Sequence, residues 1–153
     1  MKIKRMIKKE DTSGMHVWLV MWKAFKALEH IDKLSIAQLG LGGISDFAIL
    51  ELLSNKGSMP INTIGKKIHL TSGSITAAID RAEKKGLVER QWDPDDRRVI
   101  HAVLTTEGKS TIKSAMKKHS VALETAAGGL SGAERSQLLK LLKKLGWHAA
   151  KLA

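Results

Sequence analysis

The sequence predicts a mainly helical fold that carries one small β-hairpin. Apolar residues recur at helical spacing on both sides of residues 87–105, where β-branched and aromatic residues replace that pattern. With 153 residues, the chain has about the length of one domain. Its 43% hydrophobic and 27% charged residues are typical of a folded chain rather than of a disordered basic tail. We therefore expect a single domain over residues 1–153.

The first predicted helix spans residues 13–35 and begins after Ser13, a residue type that favours the N-cap position. Its apolar stripe has nearly heptad spacing and consists of Met15, Trp18, Trp22 and Phe25. So large an apolar surface on one side of a helix indicates a core or a subunit interface rather than a cofactor site.

The second predicted helix follows a glycine-rich break at residues 40–43. We expect Ser45 to cap this helix and Lys56-Gly57 to end it. Its apolar positions recur at helical spacing and are Phe47, Leu50 and Leu53.

Two shorter helices are predicted next, with a tight turn between them. Met59-Pro60 marks the turn that precedes a short helix from Thr63 to His69. A second turn leads to Thr71, which we expect to cap a helix that ends before Gly86.

The period of the pattern then changes from helical to extended. Residues 87–93 and 99–105 are rich in β-branched and aromatic side chains and predict two strands. Between them, residues 94–98 form a charged turn with two arginines. The segment is therefore predicted to be a β-hairpin with a long basic tip.

Two long helices complete the chain. The first opens at Thr106 and is expected to run to about Ala127, where Gly128-Gly129 interrupts it. Ser131 and Glu134 have the spacing of a capping box and predict the start of the last helix. The apolar stripe of that helix consists of Leu138, Leu141, Leu142 and Leu145.

The net charge of +11 predicts a polyanionic partner, nucleic acid first and an anionic membrane surface second. Residues 1–10 carry a net +4 and residues 105–153 a net +6, whereas residues 56–98 carry only +3. The lysines of the C-terminal third fit a solvated helix face as well as they fit DNA attraction.

Several classes of protein are made improbable by the residues that the chain lacks. With no cysteine there is no disulfide framework, thiolate zinc site or thiol sensor. The six histidines are scattered without helical pairing, so we predict no metal site. The chain has no glycine-rich phosphate loop, nucleophile motif or cofactor motif, and we expect neither an enzyme nor a bound cofactor. No apolar segment has the length of a membrane span, which favours a cytoplasmic protein.

The order of elements over residues 44–105 is helix, short helix, tight turn, helix and hairpin. This is the arrangement of a winged helix-turn-helix, a DNA-binding lobe. On the helix over 71–85, the inner face is predicted to consist of Ile75, Ala78, Ile79 and Ala82. The predicted DNA contacts of this helix are Thr71, Ser72, Gly73, Ser74, Thr76, Ala77, Arg81 and Lys84. The alternative is an amphipathic surface helix with no DNA role.

The hairpin favours the DNA-binding interpretation. Arg97 and Arg98 at the tip of a two-stranded ribbon can enter a narrow minor groove. Three aspartates beside them add negative charge, so we expect one of them, Asp96, to pair with one arginine and orient the wing. The alternative is a solvated, salt-bridged turn. Trp92 at the base of the wing is interpreted as a packing residue rather than as a base-stacking one.

Residues 70–88, 93–98 and 104–108 together resemble the MarR family of bacterial winged helix-turn-helix regulators. The resemblance covers most of the chain and implies a homodimer built from residues 13–36 and 106–153. It also implies that the 71–85 helix lies in the major groove, and the wing in the minor groove, of a pseudo-palindromic operator.

The resemblance further implies a small aromatic or anionic effector that binds between the dimerisation helices and the DNA-binding lobe. His16 and Trp18 are candidates for that pocket on position alone. The predicted function is thus a sequence-specific regulator of transcription, with repression as the leading mode. A nonspecific architectural DNA-binding protein is the principal alternative, and a protein–protein adaptor or a small enzyme fits the sequence less well.

Overall fold

The computed structural model describes residues 11–152, so the basic segment 1–10 lies outside the described residues. The helices are α1 (Gly14–Ala37), α2 (Ile44–Lys56), α3 (Ile61–Lys67), α4 (Ser72–Lys84), α5 (Thr106–Ala126) and α6 (Gly132–Ala149). The strands are β1 (Met59–Pro60), β2 (Val88–Trp92) and β3 (Ile100–Leu104). The predicted mainly helical fold with a small hairpin is confirmed.

The hairpin belongs to a three-stranded antiparallel sheet with the order β1-β3-β2. Val88 lies opposite Leu104, and Trp92 lies opposite Ile100 at the far end of the ribbon. The third strand, β1, was predicted only as a turn at Met59-Pro60. A strand of two residues is too short to show an alternating pattern, so the sequence could not reveal it.

Two predicted helix starts were wrong. Helix α2 begins at Ile44 rather than after Ser45, because Gly43 occupies the N-cap with φ 151, a value that favours glycine. Helix α3 begins directly after Pro60, two residues before the expected start. It ends before His69, whose positive φ of 55 is incompatible with a continuing helix.

The predicted capping residues at the other helix starts are confirmed. The Ser13 hydroxyl accepts a hydrogen bond from the His16 backbone N–H at 3.2 Å. Thr71 accepts in the same way from the Ser74 N–H at 3.3 Å. Ser131 forms the complete capping box with its partner three residues along the chain. Such caps satisfy backbone donors that the first helical turn leaves free.

The start of α5 is held against Gly86 and Leu87, the two residues that precede β2. The Thr105 hydroxyl accepts from the Gly108 N–H at 2.9 Å and donates to the Gly86 carbonyl at 2.6 Å. A Cβ at Gly108 would lie 1.9 Å from the Leu87 carbonyl oxygen. Only glycine allows this close approach, which explains the Leu-Thr-Thr-Glu-Gly segment at this point.

The hydrophobic core lies mostly within the winged lobe and the adjoining part of α5. Its largest fully buried side chains are Ile49, Leu50, Ile64, Ile79, Val88 and Ile112. Helix α1 packs on α5 and buries Ile36 near its end. Helix α6 buries none of its residues within the described chain.

Candidate nucleic-acid interface

Helix α4 presents the two faces that the sequence predicted. The inner face is buried and consists of Ile75, Ala78, Ile79 and Ala82. Ile75 packs against Gly65 of α3. Gly73, Thr76, Ala77 and Lys84 are exposed on the other side. Small residues on this outer face leave the helix backbone accessible to a groove floor. Their contact with DNA stays a prediction.

The N-terminus of α4 gathers hydroxyl groups. Thr71 Oγ1 donates to Ser74 Oγ at 2.9 Å, and Thr76 Oγ1 donates to the Ser72 carbonyl at 3.0 Å. Ser72 and Gly73 are exposed beside them in the first turn. Backbone N–H groups at a helix start attract anions, so this end suits a phosphate oxygen.

Arg81 has a different partner from the one the sequence suggested. Its guanidinium donates through Nε at 3.0 Å and through a terminal nitrogen at 2.5 Å to the carboxylate of Asp46. The Asp46 side chain is 3% exposed and that of Arg81 is 50% exposed. Hydrogen bonding to Asp46 raises the pKa of Arg81. Arg81 therefore fixes α4 against α2, and its contact with phosphate stays a prediction.

Arg90 fastens the wing to the same helix. From β2 it donates to Asp80 at 2.5 Å and also to Glu83, both on the exposed side of α4. The hydrogen bond to Asp80 is the main cause that raises the pKa of Arg90. Sequence reasoning missed this link because its partners lie on separate elements. Helix α4 and the wing are consequently held as one surface.

Asp93 organises the wing turn. Its carboxylate accepts hydrogen bonds from the backbone N–H groups of Asp95 at 2.9 Å and Asp96 at 3.0 Å. A second oxygen lies 2.9 Å from His101 Nε2. The backbone hydrogen bond from Asp95, with those from Asp96 and His101, lowers the pKa of Asp93. The carboxylate thus serves the fold of the turn.

The two wing arginines differ in their contacts. Arg98 donates to Asp96 through Nε and a terminal nitrogen, both at 3.0 Å. This side-chain hydrogen bond lowers the pKa of Asp96 and raises that of Arg98. Within residues 11–152, the Arg97 side chain has no hydrogen bond or ion pair and is exposed. One arginine is held by the turn while its neighbour is available to a partner.

The interpretation of Trp92 as a packing residue was wrong. Its side chain is 67% exposed, although Val88, four residues earlier on the same face of β2, is buried. The core ends before this position, so nothing covers the indole. It lines an open cleft together with Asp93, Pro94 and Arg97.

Comparison with known proteins agrees with this geometry. The model of the MarR family matches residues 44–100, which include α2 to the start of β3. The chain is 34% identical over 143 residues to the uncharacterized HTH-type transcriptional regulator YkoM of Bacillus subtilis (strain 168). That alignment covers 94% of this chain and 92% of YkoM. The chain belongs to the MarR family.

Solved structures share the fold of this MarR-family chain. AbsC, a MarR family transcriptional regulator from Streptomyces coelicolor, matches with a TM-score of 0.74 at 22% identity, covering 94% of this chain and 99% of AbsC. BpsR of Bordetella bronchiseptica matches with a TM-score of 0.70 at 22% identity, covering 86% of this chain and 98% of BpsR. That structure is described as showing regulation of BpsR DNA binding by 6-hydroxynicotinic acid. Within residues 11–152, no helix has the length and apolar character needed to cross a bilayer.

A cavity of about 280 Å³ lies between α5 and the loop that joins α1 to α2. It is lined by Leu39, Leu41, Ser110, Thr111, Ser114, Ala115 and Lys118. Neither His16 nor Trp18 lines this cavity, and the Trp18 side chain is 57% exposed on α1. Their role at an effector pocket stays a prediction.

His119 joins the long helices to the DNA-binding lobe, a role that the sequence did not suggest. Its Nδ1 lies 3.0 Å from Ser35 Oγ and its Nε2 lies 3.3 Å from Asp32 on α1. Its ring meets that of Phe47 edge to face, with centroids 5.1 Å apart. Among the described residues no group of three or more His, Asp and Glu side chains could hold a metal ion.

Proposed function

We propose that this chain is a sequence-specific regulator of transcription that binds a pseudo-palindromic duplex operator as a homodimer and represses it. The observation that carries the proposal is the shared surface of α4 and the wing. Arg90 of β2 bonds to Asp80 and Glu83 of α4, so α4 and the wing present one surface, with the Arg97 side chain exposed on it. Such a surface suits a major groove and the adjacent minor groove of one duplex.

The exposed apolar side chains of α1 and α6 support the homodimer. On α1, Trp18, Trp22 and Phe25 are each about half exposed. On α6, Leu138, Leu141, Leu142 and Leu145 are similarly uncovered. A monomer rarely leaves so much contiguous apolar surface in water, and a second copy would bury it. A twofold dimer would then present two α4 helices to two half-sites.

A small aromatic or anionic effector is part of the proposal. The cavity beside α5 combines hydroxyls of Ser110 and Ser114 with the ammonium of Lys118, a set that suits a carboxylate. The regulation of BpsR by 6-hydroxynicotinic acid supports the same ligand class. Titration with 6-hydroxynicotinic acid tests this step by the change in affinity for the operator.

Two measurements test DNA recognition itself. A preferred duplex is first selected from a random pool, and its affinity is then measured by gel-shift titration. We expect Arg97→Ala/Arg98→Ala to weaken binding at least about tenfold, which is about 1.4 kcal/mol. Lys140→Ala/Lys144→Ala on α6 is the matched control because it removes the same charge elsewhere. Full affinity in the wing variant would remove the wing from the interface.

A nonspecific architectural role is the alternative, and the net +6 of residues 105–153 favours it. An architectural protein binds through phosphates and leaves the random pool without enrichment. Enrichment of one duplex family therefore separates the two functions.

A further inference from the structure

The direction in which Trp92 projects follows from the alternation of side chains along β2. Val88 is buried under the sheet, and Arg90 on the same face bonds to Asp80 of α4. Side chains two residues apart in a strand share a face, so Trp92 also lies on the face that looks toward α4. Gln91 lies on the opposite face, where it bonds to Glu89.

Trp92 lies beyond the cover that α4 provides. Its cross-strand neighbour, Ile100, is only partly buried, and the indole is 67% exposed. Pro94 and Arg97 line the same open cleft, whose volume is about 490 Å³. Tryptophan and arginine are both residue types enriched at binding hot spots.

The charges around the cleft are mostly satisfied within the turn. The Asp93 carboxylate is bonded to backbone N–H groups and His101, and Asp96 is bonded to Arg98. Asp95 stays exposed, so net charge alone does not make this cleft attractive to phosphate. What the cleft offers is the placement of an apolar ring and one N–H donor next to the Arg97 guanidinium.

We propose that Trp92 contacts DNA, with its indole packed on the sugar–phosphate strand that separates the groove of α4 from the groove of the wing. The inference rests on the proposed function, since it needs α4 and the wing to occupy adjacent grooves. A side chain on the α4-facing side of the wing must then meet the strand between them. The ring packs on deoxyribose and the indole N–H donates to a phosphate oxygen. Such a contact carries no base preference.

The test compares Trp92→Ala, Trp92→Phe and the control Gln91→Ala in the full-length protein. Each variant is titrated by gel shift with the selected duplex and with an unselected duplex of about three helical turns at lower salt. We expect Trp92→Ala to weaken binding about tenfold on both duplexes, as loss of one aromatic contact to nucleic acid does. Trp92→Phe keeps the ring but loses the N–H donor, so its affinity should lie between that of the unaltered protein and that of Trp92→Ala, whereas Gln91→Ala keeps all of it.

A second readout does not depend on affinity. Protein labelled with 5-fluorotryptophan gives a ¹⁹F resonance for Trp92, identified by its loss in Trp92→Phe. We expect that resonance to shift when the selected duplex is added. Unchanged affinity in Trp92→Ala with an unmoved resonance would overturn the inference while leaving the regulator function intact. Weakening on the selected duplex alone would also overturn it, since Trp92 would then read bases. If the proposed function itself were wrong, the unaltered protein would enrich no duplex from the random pool. That result distinguishes it from a failure of the Trp92 inference alone.

Discussion

The guanidinium of Arg81, on the outer side of α4, donates two hydrogen bonds to the carboxylate of Asp46 in the first turn of α2. The carboxylate fills the space beside Gly42, where a Cβ would lie 2.0 Å from an Asp46 oxygen. Gly42 also has a φ of 117, a value that favours glycine. The ion pair therefore links α4 to α2 and to the loop that precedes α2.

The first prediction concerns this ion pair. Arg81→Ala leaves the Asp46 carboxylate buried without its main partner, and removing one member of such a pair is destabilising. We expect the midpoint of thermal unfolding to fall by about 5 °C, less than for a fully buried pair because Arg81 is half exposed. Lys84→Ala, one turn away on the same face, is the control and should leave the midpoint unchanged. The double variant Asp46→Asn/Arg81→Gln should lower the unfolding midpoint by less than the sum of the decreases in Asp46→Asn and Arg81→Gln. A decrease equal to that sum would argue against coupling.

The second prediction concerns the wing turn and pH. Hydrogen bonds from Asp95, Asp96 and His101 lower the pKa of Asp93. The stabilisation of the turn is therefore present above the unfolded value of about 4, and it is lost as pH falls through the lower folded value. Amide exchange of Asp95 and Asp96, corrected for its intrinsic pH dependence, should accelerate at acidic pH. Asp93→Asn should accelerate it at neutral pH, and equal protection in both proteins would contradict the assignment.

The third prediction separates phosphate contact from base reading on α4. Lys84→Ala should weaken all duplexes alike and reduce the salt slope by about one. Thr76→Val, which keeps the shape but removes the hydroxyl, should change the preferred base at one operator position. Selection from random duplexes measures both variants. A sequence-dependent effect of Lys84→Ala would place that side chain on a base instead.

The fourth prediction tests the role of α6. Leu142→Lys places a charge within its exposed apolar stripe, so we expect a monomer in analytical ultracentrifugation. Operator affinity should drop at least about tenfold, because each half-site must then be bound independently. Lys143→Ala changes the neighbouring position without entering the stripe and should stay dimeric. A dimeric Leu142→Lys protein would show that other surfaces form the dimer.

The fifth prediction concerns the close approach of Gly108 in α5 to Leu87, the residue before β2. Gly108→Ala forces a methyl group against the Leu87 carbonyl, a backbone atom that cannot move aside. We expect a loss of about 1–3 kcal/mol in the free energy of unfolding, measured by urea denaturation. Gly128→Ala is the matched control, since a Cβ there meets nothing within 4 Å. Equal stability of both variants would contradict the close packing.

The faces of α4 were predictable because helical periodicity is a local property of the sequence. The start of α2 was not, since both Gly43 and Ser45 suit an N-cap and the pattern alone does not distinguish them. Strand alternation likewise shows that Trp92 lies on the same face as Val88 and Arg90, but it does not show where the hydrophobic core beneath that face ends.

Contacts between distant segments were the least predictable part of the site. Ser35 and His119 are 84 residues apart, so no spacing rule could pair them. The same holds for Asp46 and Arg81, which are 35 residues apart. The sequence predicted Arg81 only as a DNA contact. The exposed face of α4 and the pairing of Asp96 with one wing arginine, Arg98, were predicted. The exposure of Trp92 and the links from Arg81 to Asp46 and from Arg90 to α4 were not.

The central claim is sequence-specific recognition of duplex DNA, and one affinity ratio tests it most directly. The dissociation constants of the full-length protein for its selected duplex and for a scrambled duplex of equal length are measured at the same ionic strength of about 0.15 M. We expect the selected duplex to bind at least about 1,000-fold more tightly, as specific regulators do. A ratio near one would contradict the claim and favour an architectural protein.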